Sequence, residues 1–287
     1  MAGVFWNEGI WTTEEVKLTG PMDHAFWLGS TVFDGARAIR GTVPDLGLHC
    51  ARLVRSAAAM QMRATLAAEE IEALCREGVR RMGPEATLYI RPMFFARRGM
   101  APVRPDPDST TFTLAIYDSP MPGNAGFSSV LAPFRRPAPD MAPTDAKASC
   151  LYPNSGRAAT WAYERGYDNA VVLDIDGNVA EFASANLMMV KDGVVYTPAV
   201  NGSFLNGVTR QRVISLLRGA GIEVREEPIA PERLDEADEI FSTGNYGKVQ
   251  ACTRHGSRDL NAGPVAAEAR RLYMAFCEES RMLPAAA

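Results

Sequence analysis

The stretch from Gly166 to Pro198, GYDNAVVLDIDGNVAEFASANLMMVKDGVVYTP, decides the fold. Asn169 to Ile175, Asn178 to Phe182, Ala185 to Val190 and Val194 to Thr197 are apolar, β-branched runs of strand length. Asp176-Gly177 and Asp192-Gly193 fall between them, where tight hairpins need a positive φ. Upstream, Phe127 to Phe134 reads as a strand, RRPAPDMAPTDA (135–146) as a proline-rich loop, and Asn154 to Glu164 as a helix. Downstream, Thr209 to Ala220 reads as a helix with Gly221 near its C-terminal cap, and a last helix runs from about Pro264 to Arg281.

The first part of the chain carries strands near Phe5 to Trp11 and Thr31 to Arg40, then amphipathic helices over Arg52 to Met62 and Ala68 to Met82. Thr87 to Phe95 and Thr110 to Tyr117 are further strands, separated by the loop ARRGMAPVRPDPDS (96–109). Residues 118–126, DSPMPGNAG, collect two prolines, two glycines and an asparagine, and read as a linker. Strands grouped with hairpins, and helices grouped without strict alternation, predict an α+β protein in two lobes. The expected division is a small domain over 1–117, the linker 118–126, and a larger domain over 127–287. A cleft between lobes is the default place for a site.

The 287 residues have 47% hydrophobic and 22% charged side chains, the balance of a globular protein, and suffice for a large core. A net charge of -4 leaves no basic footprint for nucleic acid. The N-terminus MAGVFWNEGIW lacks a secretory pattern, and no apolar run approaches a membrane span. Five dispersed cysteines without a CxxC pair read as reduced thiols in a cytoplasm, and three separated histidines argue against structural zinc.

Only four lysines occur, Lys17, Lys147, Lys191 and Lys248. Lys147 leads into Ala148-Ser149-Cys150, small neighbours that leave room around an amine whose nucleophilicity rises on partial burial. It ranks first as a nucleophile, with Lys248 second; Lys191 sits in a turn and Lys17 in a polar segment. Glu181 lies in an apolar-flanked strand, facing solvent or partnered in the interior. Arg52 reads as opening a helix, either solvated or gripping a phosphate. Gly207-Val208-Thr209 opens another helix and offers N–H groups and a hydroxyl to an anion. Arg91, between strand hydrophobics, needs an anion: a structural carboxylate or a ligand's. Asp23-His24 and Asp45…His49 have no nucleophilic serine nearby, so both histidines read as structural.

These segments, in order from Phe5 to about Tyr273, resemble the class IV aminotransferases, the fold type IV pyridoxal-phosphate enzymes. They are most similar to the branched-chain amino-acid aminotransferases. HAFWLGSTVFDGAR (24–37) resembles the family's HAxxYGxxVFEGxR, RLVRSA (52–57) its RLxxSA, and LYIRPMFF (88–95) its YIRP strand. KASCLYPN (147–154) is similar to KxxxNY, the 166–198 block to the family's long hairpin block, SFLNGVTR (203–210) to LPGITR, and DEIFSTGN (238–245) to the segment closing the phosphate cup. The resemblance implies the two-domain, D-amino-acid aminotransferase-like fold with pyridoxal 5'-phosphate in the interdomain cleft, and a homodimer. It makes Lys147 the Schiff-base lysine and Glu181 the partner of the pyridine nitrogen. Arg52, Val208, Thr209 and Asn245 would hold the phosphate, Tyr152 the phenolic oxygen, and Leu205 would pack on the ring. Phe33, Gly35, Tyr89 and Arg91 would line the substrate pocket, with Arg91 receiving the side-chain carboxylate of glutamate and so favouring 2-oxoglutarate. The chain departs from the family at Leu28 (usually Tyr), Cys150 and Leu151 (Gly-Asn), Ala185 (often Glu) and Asn245 (Thr). D-Amino-acid and (R)-amine transaminases and an aminobenzoate-forming lyase share the fold; the YIRP and FDG motifs point to the branched-chain side.

Overall fold

The computed structural model describes residues 2–282; the last residues of the expected second domain lie outside that range. The chain forms two compact units. The first comprises the chain up to Met121, the segment Ala146–Leu151, and the chain from Cys277 onward; the second comprises Pro122–Asp145 and Tyr152–Phe276. The division at Met121 falls inside the linker read from composition. The Lys147 segment groups with the first unit, whereas the sequence reading places it in the C-terminal domain. The reason is a long-range bridge: Ala148 pairs antiparallel with Val32.

The first unit contains β1 (Gly3–Asn7), β2 (Ile10–Thr12), α1 (His24–Leu28), β3 (Thr31–Phe33), β4 (Ala36–Ala38), α2 (Leu46–Ala59) and α3 (Ala68–Met82). It continues with β5 (Leu88–Ala96), the ribbon β6 (Gly99–Ala101) and β7 (Arg104–Pro105), and β8 (Thr110–Asp118). The antiparallel sheet runs β2-β1-β8-β5-β3, with β4 also on β5. Three sequence expectations shift here. The strand expected over Phe5 to Trp11 is a hairpin, because Glu8 (φ 49°) and Gly9 (φ 86°) take the left-handed pair of conformations that tight hairpins require. The strand near Thr31 to Arg40 breaks at Asp34-Gly35, where the Asp34 carboxylate is drawn into buried hydrogen bonds. Finally, α2 begins at Leu46, not Arg52. Leu46, His49, Cys50, Leu53, Ser56 and Ala57 repeat at helical spacing on its buried face. Arg52 is therefore mid-helix and does not open the helix. α3 lies so close to the sheet that a Cβ on Gly78 would stand 2.3 Å from Ile116 Cδ1.

The second unit holds β9 (Phe127–Arg135), α4 (Tyr152–Tyr163), β10 (Asn169–Leu173), β11 (Val179–Phe182), β12 (Asn186–Lys191) and β13 (Val194–Thr197). Then come α5 (Val208–Gly219), β14 (Val224–Glu226), α6 (Arg233–Glu236), β15 (Glu239–Gly244), β16 (Lys248–His255), β17 (Arg258–Asp259) and α7 (Pro264–Met282). Its sheet order is β11-β10-β9-β16-β15-β12-β13-β14, with β17 on β16. Asp192 (φ 50°) and Gly193 (φ 77°) make the expected tight turn between β12 and β13. Val171, Phe182, Leu187, Met189, Ile229, Ile240 and Cys252 form the main core of this unit. A small-residue cluster, Ala132, Ala158, Ala162 and Ala170, seats α4 on the sheet. No helix among the described residues is long and apolar enough to cross a membrane.

Candidate active site

In the first unit the backbone of Lys147 is clamped from two sides. Its N–H donates to Ser56 Oγ (3.0 Å), and its carbonyl accepts from the Phe33 N–H (3.1 Å). Ser56 is buried on α2, so the helix and β3 together fix where the lysine leaves the chain. The small neighbours Ala146 and Ala148 are fully buried and permit this approach. Lys147 is half-buried, and its Nζ stands 4.8 Å from the Phe33 ring centroid. Next in the segment, burial pushes the Cys150 thiol up, so it is not an activated nucleophile.

Asp34, beside Phe33 and Gly35, is fully buried. Arg52 grips it in a fork, Nε to Oδ2 at 2.8 Å and Nη2 to Oδ1 at 2.9 Å. His49 Nδ1 stands 2.7 Å from Oδ1, and the Gly35 N–H donates to the same oxygen at 2.7 Å. Burial alone would raise the Asp34 carboxyl; Arg52 and His49 outweigh it and hold the group well below the usual carboxylate range. His24 bonds Ser30 Oγ at 2.8 Å.

On β5, Tyr89 stacks on Tyr117 of β8, their centroids 5.5 Å apart and planes inclined by 19°. The Arg91 guanidinium carbon lies 5.3 Å from the Tyr89 centroid and 5.2 Å from that of Tyr117, and Arg91 also donates to the Tyr117 hydroxyl. Burial pushes the Tyr117 phenol up, so it stays neutral beside the arginine. Among the described residues no carboxylate pairs with Arg91, so the structural ion pair considered for it is not formed.

In the second unit Glu181 on β11 is 13% exposed at its side chain and faces inward, not to solvent. Arg136 Nε lies 3.4 Å from Oε1, and Asn186 Nδ2 donates to Oε2 at 3.3 Å. Asn186 joins the parts: it also donates to the Leu205 carbonyl (2.9 Å) and pairs with Thr243 in the β12–β15 ladder. Its Oδ1 lies where a Cβ on Gly207 would come within 2.1 Å. Leu205, the start of α5 with buried Val208 and Thr209, and the end of β15 with Thr243 and Asn245 are thus one neighbourhood. Tyr152, at the start of α4, is 40% exposed.

Residues 31–254 match the family model described as amino-transferase class IV. The chain belongs to the class IV aminotransferases. A branched-chain-amino-acid aminotransferase of Salmonella typhimurium is 30% identical over 285 residues, covering 96% of this chain and 92% of the relative. A crystal structure of an aminotransferase from Brucella abortus bound to the cofactor PLP superposes with a TM-score of 0.95 at 46% identity, covering 97% of this chain and 100% of that one. The branched-chain aminotransferase of the thermophilic archaeon Thermoproteus uzoniensis, crystallised with norvaline, superposes with a TM-score of 0.89 at 30% identity, covering 97% of this chain and 96% of that one. The fold is therefore fold type IV, and the family's cofactor is pyridoxal 5'-phosphate.

The residues of this class IV aminotransferase fit that cofactor. A phosphate dianion needs converging donors, and a helix start presents N–H groups without intrahelical partners. Beside the start of α5, Thr243 Oγ1 and Asn245 Nδ2 are buried with no hydrogen-bond partner among the described residues. Buried polar atoms are rarely left unpaired unless a ligand completes them. Thr243, Asn186, Arg136, Asp34 and Tyr117 were given no individual role by the sequence, although Thr243 lies in the DEIFSTGN segment and Asp34 in the FDG motif. Arg136 sits in a proline-rich loop and Asn186 in an ordinary strand, so neither carried a local signal.

Proposed function

We propose that this aminotransferase exchanges amino groups between a hydrophobic, branched-chain amino acid and 2-oxoglutarate, working in the cytoplasm as a homodimer. The observation that carries the substrate reading is Arg91, a cation framed by Tyr89 and Tyr117 with no carboxylate paired to it among the described residues. A planar guanidinium in that setting suits the carboxylate of a five-carbon oxo acid. Phe33, Gly35 and Tyr89 give an otherwise apolar lining suited to an aliphatic side chain. Five free cysteines agree with a reducing compartment.

Pyridoxal phosphate, when bound, supplies an electron sink for the pair left on the substrate Cα. Lys147 would anchor the cofactor's aldehyde carbon through Nζ, and its free amine would take the substrate Cα proton as general base and return it as general acid. Its clamped backbone restricts the arc over which the amine swings. Glu181, steadied by Arg136 and Asn186, would hold the proton on the ring nitrogen. Arg52, Val208, Thr209 and Asn245 would hold the phosphate, Tyr152 would bond the phenolic oxygen, and Leu205 would cover the ring. Asp34 fixes the Arg52 fork within the first unit.

The test is a donor panel of leucine, isoleucine, valine, D-alanine and an (R)-amine with 2-oxoglutarate. Fast turnover with the branched-chain L-amino acids is expected. A strong D-alanine or (R)-amine rate with none for leucine overturns the substrate assignment, and pyruvate release without amination of 2-oxoglutarate marks a lyase.

A further inference from the structure

Lys248 is a buried charged group to which the proposed reaction gives no part. It is 1% exposed and opens β16 with a left-handed backbone, φ 59°. A buried ammonium is costly, and so is a side chain in the left-handed region. Strain retained at a site is a pointer to function. Its Nζ donates to Asn245 Oδ1 at 2.9 Å and stands 5.6 Å from the Tyr273 ring centroid. Asn245-Tyr246-Gly247 form a loop closed by the Gly244–Lys248 ladder pair. From α7, Arg270 Nη1 donates to the carbonyls of Gly247 (3.3 Å) and Val249 (2.9 Å), which holds the loop from its other side.

An ammonium has three donors and no acceptor, so it selects the carbonyl oxygen of the Asn245 amide. That choice turns Nδ2 the other way, and Nδ2 is the buried donor with no partner among the described residues. The resemblance puts threonine at this position in the family. A threonine hydroxyl rotates to suit whatever it meets, whereas an amide flipped the wrong way would set Oδ1 against a dianion. Asparagine here therefore needs something to fix its orientation.

We propose that Lys248 is a positioning residue for phosphate recognition: its buried ammonium locks the Asn245 amide so that Nδ2 donates to the cofactor phosphate. This rests on the reading of the α5 start, Thr243 and Asn245 as the phosphate site.

The experiment titrates apoenzyme with pyridoxal phosphate and with pyridoxal, which keeps the aldehyde and ring but lacks the phosphate, following the visible absorbance band. K248M is expected to weaken pyridoxal phosphate by about tenfold or more and pyridoxal by less than about twofold. N245A should do the same, and K248M/N245A should be no weaker than N245A alone, because both act through one amide. K248Q keeps a donor without the charge; it should recover part of the loss, and it serves as the variant if K248M does not fold. Equal losses for both ligands, or losses that multiply in the double variant, overturn the proposal. Wild type binding both ligands equally well would show the phosphate site itself misassigned. Lost phosphate preference in N245A, with K248M and K248Q unchanged, would sink the role of Lys248 alone.

Discussion

Asp34 shows how much one buried carboxylate carries. It neutralises the Arg52 fork and takes the His49 and Gly35 hydrogen bonds, so removing its charge breaks a buried bidentate ion pair inside the first unit. D34N is expected to lower unfolding free energy by about 3–5 kcal/mol at pH 7, read by urea denaturation. Because the folded carboxyl titrates below its unfolded value of about 3.9, its stabilisation is fully present above that pH and is lost as pH falls through the folded value. The gap between wild type and D34N should therefore persist at pH 5 and close only in stronger acid. A gap that shrinks between pH 7 and pH 5 would contradict the assignment. Lys147 and Arg91 make separate kinetic predictions. K147A should lose the visible band and its reduction by borohydride; a reducible adduct surviving in K147A would move the role to another lysine. R91M should raise the KM for 2-oxoglutarate by about 10–100-fold, the cost of one charge-assisted contact, with much less change for leucine. Equal KM changes for both substrates would deny Arg91 its carboxylate.

At the scale of elements, periodicity located most strands and helices but misjudged how they begin. Asn169 to Thr197 declared its strands through two Asp-Gly turns, because turn chemistry is local. The start of α2 was missed because Leu46, Gly47 and Leu48 follow a proline-bearing loop, and only the buried face that Leu46 joins makes them helical. What α5 offers was legible in Gly207-Val208-Thr209, while the reason for the glycine was not. Its φ of -61° is ordinary, so the requirement is space and not conformation. A Cβ there would meet Asn186 Oδ1 at 2.1 Å, displacing the side chain that links Glu181, Leu205 and the β15 end. G207A is accordingly expected to cost about 1–3 kcal/mol by overpacking. It should also weaken pyridoxal phosphate binding, seen as a smaller rise in Tm on adding cofactor. A G207A variant with the wild-type cofactor-dependent rise would show that Asn186 yields without disturbing the site.

Over the whole molecule, grouped strands and helices announced an α+β chain, but the membership of Lys147 was invisible because it depends on Ala148 meeting Val32, more than a hundred residues away in sequence. Equally hidden was the surface of the first unit. There α1 exposes Phe26 (66%) and Trp27 (58%), and the β6–β7 ribbon with its turn exposes Met100 (58%) and Val103 (77%). The two elements adjoin: the His24 N–H donates to the Arg97 carbonyl at 2.9 Å, and a Cβ on Gly99 would touch the His24 ring. Large apolar side chains gathered at such exposure are suited to contact with a partner surface. A second copy of the chain is the occupant proposed, in line with the homodimer that the family resemblance implies. Sedimentation equilibrium should then give twice the chain's 31.2 kDa. F26S/W27S, which alters exposed positions without opening a cavity, should sediment as a monomer with an unchanged far-UV spectrum. A monomeric wild type at micromolar concentration would dismiss the dimer, and a dimeric F26S/W27S would move its interface off this patch.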